Sequence, residues 1–272
     1  MELERIATNT YDFETIRKTG ITYVDKTGLM YPLVNTSMGN QFFLSRPRRF
    51  GKSLLLSTLQ KLFEGRRDLF QGLAIDSLPW DWSATYPVIR LDMSLCSGET
   101  VGEVEGRVVA TMRSEADRLG VVLRNDDDAA ICLQSFIEDV AALAPCGQIV
   151  LLVDEYDKPL THWVGSEKVR PFQAFLKSFY AVIKKTESMQ RFCLMTGVSK
   201  FSKVSIFSDL NNLTDLTMNP AATTLLGYTH EEVRKNYPVR LASLANQLGV
   251  DVDGAFAQLV SMYDGYCFDE RM

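Results

Sequence analysis

Short, mostly apolar runs recur along the chain at Gln41–Leu44, Val88–Leu91, Ile149–Val153 and Phe192–Met195, each rich in branched or aromatic side chains and bounded by turn residues or charge. Such runs predict buried strands. Between them the apolar positions return at helical spacing: Leu55, Leu59, Leu62 and Phe63 after the first run, Val104 to Leu119 after the second, and Phe172, Leu176, Phe179 and Ile183 after the third. Strands alternating with helices predict an α/β fold, a parallel sheet of about five strands covered on both faces, whose ligands bind beyond the carboxyl ends of the strands.

From Gly227 the pattern changes. Thr229 followed three residues later by Glu232 is a capping-box signature, which predicts a mainly helical stretch through Leu248, with a second short helix from Gly254 to Tyr263. The expected organisation is a sheet domain over residues 1–226 and a small helical C-terminal appendage, or lid, over 227–272. The acidic run Asp126–Asp128 reads as a solvated loop, and no repeat of fixed period is visible.

The 272 residues suit one large domain or a domain with a small addition. With 46% hydrophobic and 23% charged residues, the chain has the composition of a folded globular protein rather than a disordered or fibrous one. A net charge of -5 repels extended polyanions, so direct nucleic-acid binding is disfavoured and any phosphate site must be local. The run Ile149–Val153 is far short of the ~20 apolar residues that cross a bilayer, and MELERIATNT lacks the apolar stretch of an export signal. A cytoplasmic protein is expected. Five cysteines without a C-x-x-C pair suit reduced thiols, and two isolated histidines, His162 and His230, make a transition-metal site or a Cys-His pair unattractive.

Chemistry concentrates in the loop after the first run, Ser45-Arg46-Pro47-Arg48-Arg49-Phe50-Gly51-Lys52-Ser53-Leu54. A phosphate-binding loop of the form G-x-x-x-x-G-K-[ST] wraps phosphates in backbone N–H groups, reaches their oxygens with Lys and holds Mg²⁺ with Ser or Thr. Gly51, Lys52 and Ser53 fit this pattern, while Arg46 stands where the first glycine belongs. The tripeptide follows a predicted strand and opens a predicted helix, which aims N–H groups and the positive end of the helix dipole at an anion. Arg46, Arg48, Arg49 and Lys52 also crowd positive charge into one loop of an acidic chain. The competing reading is a solvated basic turn.

The third run ends in Asp154-Glu155. At this place in a nucleoside triphosphatase the Asp orders Mg²⁺ and the Glu polarises the attacking water; the competing reading is that Asp154 or Asp157 caps a helix. The fourth run ends in Thr196-Gly197-Val198-Ser199-Lys200, where Thr196 is the candidate sensor of a γ-phosphate and Gly197 lets the backbone pass close to the site. A plain strand-ending turn is the alternative for both. Lys200 and Lys203 are candidates for added positive charge, with solvated surface lysines as the alternative. Trp80-Asp81-Trp82 reads as a hydrophobic anchor. Tyr23-Val24-Asp25-Lys26-Thr27 reads as an Asx-type turn before a helix, with contact to a nucleotide base as the alternative. Phe207 to Asn212 reads as a turn-rich loop.

With these motifs in view, the chain resembles a bacterial family of predicted AAA-ATPase-like proteins. The strings that carry the resemblance are Y-V-D-K-T at 23–27, S-R-P-R-R-F-G-K-S at 45–53, D-E-Y-D-K-P at 154–159 and T-G-V-S-K-F-S-K-V-S-I-F-S at 196–208, and it extends from about Tyr11 to Tyr266. The resemblance implies a P-loop NTPase three-layer sandwich that binds ATP and Mg²⁺, with Arg46 as the family's own variant of the loop. In that reading Lys52 binds the β and γ phosphates, Ser53 and Asp154 place Mg²⁺, Glu155 activates water and Thr196 senses the γ-phosphate. Residues Arg46 to Leu54 form the nucleotide cradle, one of its arginines adding charge stabilisation. The resemblance also implies a C-terminal domain similar to PD-(D/E)XK nucleases. No Asp or Glu stands two positions before a Lys here, so that domain is expected to be absent and the chain to be the ATPase portion. A nucleotide-gated module with little turnover and a nucleic-acid-processing component remain alternatives, and a homo-oligomer with a neighbour's arginine in the site stays open.

Overall fold

A computed structural model describes residues 2–35, 39–124, 127–198, 212–263, 265, 266 and 268. The strands are β1 (Gln41–Ser45), β2 (Val88–Asp92), β3 (Ile149–Asp154), β4 (Gln190–Gly197) and β5 (Thr214–Asp215). They form one sheet in the order β2-β3-β4-β1-β5, with every neighbouring pair parallel. The helices are α1 (Phe13–Thr19), α2 (Thr27–Val34), α3 (Lys52–Phe63), α4 (Val101–Leu119), α5 (Ala129–Leu143), α6 (Lys158–Thr161), α7 (Val169–Lys185), α8 (His230–Asn236), α9 (Pro238–Leu248) and α10 (Val252–Tyr263).

Side chains alternate across a strand, and here the alternation feeds two separate cores. Phe43, Ile89, Leu91, Leu151, Val153 and Met195 pack toward α4, α5 and α7. Phe42, Leu44, Val88, Val150, Leu152 and Leu194 pack on the opposite face, toward α1, α2 and α3. Burial on both faces explains why the strands read as continuous apolar runs rather than as polar-apolar alternation. The result is the expected three-layer α/β sandwich, with β4 lying between β1 and β3. In the anchor expected at Trp80–Trp82, Trp80 meets Phe63 edge-on with centroids 5.5 Å apart and Trp82 meets Phe70 at 5.3 Å.

β5, α1 and α5 are additional to the elements read from the sequence, and α2 is the helix expected after the turn at Tyr23–Thr27. β5 is two polar residues long and has no period to detect. The helix pair α1 and α2 precedes the first strand, α2 carrying Pro32 inside it. The crossover from β2 to β3 contains two helices rather than one. Asp128, read as part of a solvated loop, is the N-cap of α5, its carboxylate accepting from the backbone N–H of Ala130 at 2.8 Å and of Ile131 at 2.9 Å. At the C-terminal side the capping box forms: Thr229 accepts from the Glu232 N–H and Glu232 from that of Thr229. No helix among the described residues is long and apolar enough to cross a membrane.

The cap on α5 supplies a test of this fold. Asp128→Ala removes acceptors from two first-turn N–H groups and should lower stability by about 1 kcal/mol, seen as a reduced urea midpoint at unchanged slope. Asp128→Asn, which keeps an acceptor, should stay near the parent.

Candidate functional site: a phosphate loop facing a carboxylate turn

β1 runs into the loop 46–51, and the Arg46 N–H extends the parallel ladder by donating to Gly197 O at 3.1 Å. The loop then folds sharply, with Arg49 at φ 66° and Gly51 at φ 92°. Gly51 tolerates that left-handed geometry because it has no Cβ, and it starts α3 without a side-chain cap. First-turn N–H groups of α3 therefore lack a capping side chain, and the positive end of the helix dipole faces the loop.

Lys52 is only 6% exposed. Its Nζ donates to Arg46 O and Pro47 O, both at 2.9 Å. Burial pulls its pKa below the ordinary lysine value, opposed by the carboxylates of Asp154, Glu155 and Asp157, which favour the charged form.

Those carboxylates sit on the turn that follows β3. Register pairs Ser45 with Gly197 on one side of β4 and Val153 with Met195 on the other, so the three strand ends lie at one level. Asp154 is 2% exposed, and its Oδ1 accepts from Thr196 Oγ1 at 2.7 Å and from the Glu155 N–H at 3.1 Å. Glu155 adopts φ 50°. Burial first, and then the neighbouring Asp154 charge, raise its pKa above the usual glutamate value. Asp157 is buried at the head of α6 but makes no cap bond; its carboxylate instead accepts from the Val198 N–H at 3.2 Å. The Tyr156 N–H donates to Thr196 O at 3.0 Å. The carboxylate turn is thus stitched to the exit of β4 at several points.

The remaining residues named from sequence fall into two groups. Arg48 and Arg49 are exposed, and Pro47, Phe50, Ser53 and Leu54 are half-buried along the loop and first turn. Arg46 is 1% exposed, and its guanidinium donates to Ser45 O, Thr217 O and Ala222 O at 2.9, 2.6 and 3.1 Å. Desolvation pushes its pKa down to about 10. The side chain is therefore committed to these three carbonyls. Ser199, Lys200, Lys203 and residues 207–211 lie outside the described residues.

Sequence reasoning did not anticipate a cavity of about 630 Å³ beside Gly51 and Leu54, walled by Tyr23 and Val24 in front of α2, by Gly227 to His230, and by Phe256 and Val260 of α10. The Asx turn expected at Asp25 forms, Oδ1 accepting from the Thr27 N–H at 2.8 Å. Its neighbour Lys26 crosses to the helical appendage and donates to both carboxylate oxygens of Glu232 at 2.6 Å and to Thr224 O at 2.7 Å. Two carboxylates also escaped the motif reading. Asp157 stood in the D-E-Y-D-K-P string but was given no role beyond a helix cap, and Asp92, at the end of β2 and in register with Asp154, has no sequence signal beyond its place after an apolar run.

A parallel sheet in the order β2-β3-β4-β1-β5, a G-K-S loop after β1 and a buried Asp at the end of β3 define the P-loop nucleoside triphosphatase fold. The chain belongs to the family described as predicted AAA-ATPases, whose model matches residues 7–207. It is 37% identical over 247 residues to the uncharacterized protein in the vnfD 5′ region of Azotobacter chroococcum mcd 1, a match covering 90% of this chain and 45% of that protein. The chain thus spans under half the length of the curated relative it matches. Among solved structures it is similar to a chain of Drosophila ORC bound to DNA, at 16% identity and a TM-score of 0.33 over 80% of this chain and 95% of that one. It is also similar to AMPPCP-bound DnaA from Aquifex aeolicus, at 11% identity and a TM-score of 0.35 over 94% and 67% of the two chains.

Gly197 tests the close packing of the two turns. A Cβ there would lie 2.4 Å from Tyr156 Cε1 and 2.8 Å from Asp157 Oδ1. Gly197→Ala should cost about 1–3 kcal/mol by overpacking, measured as a fall in thermal midpoint, whereas alanine at Gly106, whose Cβ would meet nothing within 4 Å, should not lower it.

Proposed function

We propose that this chain binds ATP with Mg²⁺ across the carboxyl ends of β1, β3 and β4 and hydrolyses it, switching or driving an attached or partner domain in the cytoplasm. The observation that carries this reading is the buried Lys52 ammonium beside the uncapped start of α3, facing Asp154 and Glu155 across β4. In it Lys52 binds the β and γ phosphates, and the backbone from Arg46 to Leu54 forms the cradle, with Arg48 and Arg49 offering charge at its rim. The hard oxygen donors of Ser53 and Asp154 suit Mg²⁺, which keeps several waters and takes few protein ligands. When bound, the metal neutralises phosphate charge.

Glu155 orients and polarises the attacking water, and Thr196, already on Asp154 Oδ1, senses the γ-phosphate. The base occupies the cavity between residues 23–24 and the helical appendage. In this proposal residues 1–226 form the ATPase domain and 227–272 its lid. The greater length of the Azotobacter relative supports a further domain as the driven element; a nuclease-like one is proposed on the family resemblance alone. A second reading, a nucleotide-gated module with little turnover, draws support from Lys52 being tied to its own loop.

Binding and phosphate release measured on one sample separate the two. Glu155→Gln should retain ATP binding and slow hydrolysis by about 10²-fold or more, while Lys52→Ala should weaken binding itself. Equal turnover by parent and Glu155→Gln removes Glu155 as the base, and tight binding without turnover in the parent favours the gated module.

A further inference from the structure

Arg46 replaces the glycine that usually opens a phosphate loop, and so large a side chain there needs a role. Its fork reaches Ser45 O, Thr217 O and Ala222 O. Its flat face meets the Phe268 ring, with Cζ 4.0 Å from the centroid. Further along the same loop, Phe50 meets Tyr266 edge-on with centroids 4.9 Å apart and Phe268 at 5.6 Å. Phe50 O also accepts from the Gly227 N–H at 3.1 Å. Tyr266 and Phe268 thus contact the loop near both its ends, from the wall of the cavity beside Gly51.

Lys52 holds the same loop from inside, through Arg46 O and Pro47 O. An anion that draws the Lys52 ammonium toward itself weakens those two bonds, and the loop then relies more on its other fastenings. The Arg46 fork and the aromatic contacts stand among those fastenings, beside the backbone bonds to Gly197 and Gly227, and a guanidinium on a ring is worth most where water is excluded.

We infer that Arg46, Phe50, Tyr266 and Phe268 form a positioning bracket for the phosphate loop, so that nucleotide affinity depends on aromatic residues more than two hundred positions away. Arg46 acts here by fixing the loop rather than by touching phosphate. The inference rests on the reading of this loop as a nucleotide cradle. It assigns Tyr266 and Phe268 to the nucleotide site, and by linkage whatever moves them changes nucleotide affinity, while nucleotide changes their seating to the same degree.

The test compares the full chain with Phe268→Ala, Phe268→Leu and Phe268→Tyr by two measurements. Leucine keeps apolar bulk without a ring face, and tyrosine keeps the ring. In the first measurement, without nucleotide, backbone amides between Arg46 and Gly51 should exchange hydrogen about fivefold faster or more in the Ala and Leu variants. The Tyr variant should match the parent, and β3 amides should be unchanged throughout. In the second, equilibrium binding of a fluorescent ATP analogue with Mg²⁺ should weaken about fivefold or more in the same two variants and recover with tyrosine. Parent-like loop exchange in Phe268→Leu overturns the bracket, as does parent-like affinity in that variant. A parent that fails to bind the analogue defeats the nucleotide reading instead, and loop exchange alone then decides the bracket.

Discussion

A buried ammonium is the constraint around which the site is arranged. An amine taken out of water is strongly unfavourable unless donors and charge are matched. Lys52 meets that demand twice, by donating to two carbonyls of its own loop and by facing the carboxylates of Asp154, Glu155 and Asp157. The demand is mutual, because Asp154 and Asp157 are themselves buried and Glu155 is held toward its neutral form by burial and by Asp154. Neither sign would be tolerable at this depth without the other. The parallel sheet brings them together, since its order places the loop after β1 and the turn after β3 on either side of β4.

β4 is therefore more than a spacer. Its last residues, and Val198 just after them, receive or supply hydrogen bonds on both flanks: Thr196 Oγ1 donates to Asp154, Thr196 O accepts from Tyr156, Gly197 O accepts from Arg46, and the Val198 N–H donates to Asp157. A displacement at the phosphate loop can reach the carboxylate turn through two peptide units. The absence of a side chain at Gly197 permits this spacing, because the Tyr156 ring already occupies the volume that a Cβ would need.

The four main strands were legible because burial on both faces makes each a continuous apolar run, and the G-K-S and D-E elements were legible because their chemistry is local in sequence. Elements without a local signature were not. β5 is too short and polar to announce itself, and α5 was hidden behind an acidic run whose last member, Asp128, caps it. At the site, the position of Arg46 in the loop could be read, but the commitment of its side chain could not, since that depends on Thr217, Ala222 and Phe268. The cavity escaped for the same reason. Its walls come from residues 23–24, the loop and α10, and only the folded chain joins them.

Backbone strain is confined to two of these turns among the described residues. Among the described residues, the non-glycine positions with positive φ are Arg49 and Glu155. Left-handed geometry in such residues costs of order 1–3 kcal/mol and persists where the surroundings over-determine it. Here the two strained residues stand in the loop after β1 and in the turn after β3, the two strands that flank β4. At Glu155 the strained turn is held by the N–H bond to Asp154 Oδ1 and by the Tyr156 bond to Thr196 O. At Arg49 it is held between the fixed Arg46 and the start of α3. A chain that needed only to connect these strands and helices could do so with relaxed turns or with glycine. Strain kept in both turns supports the proposal that they serve one site, and it does so without reference to any motif.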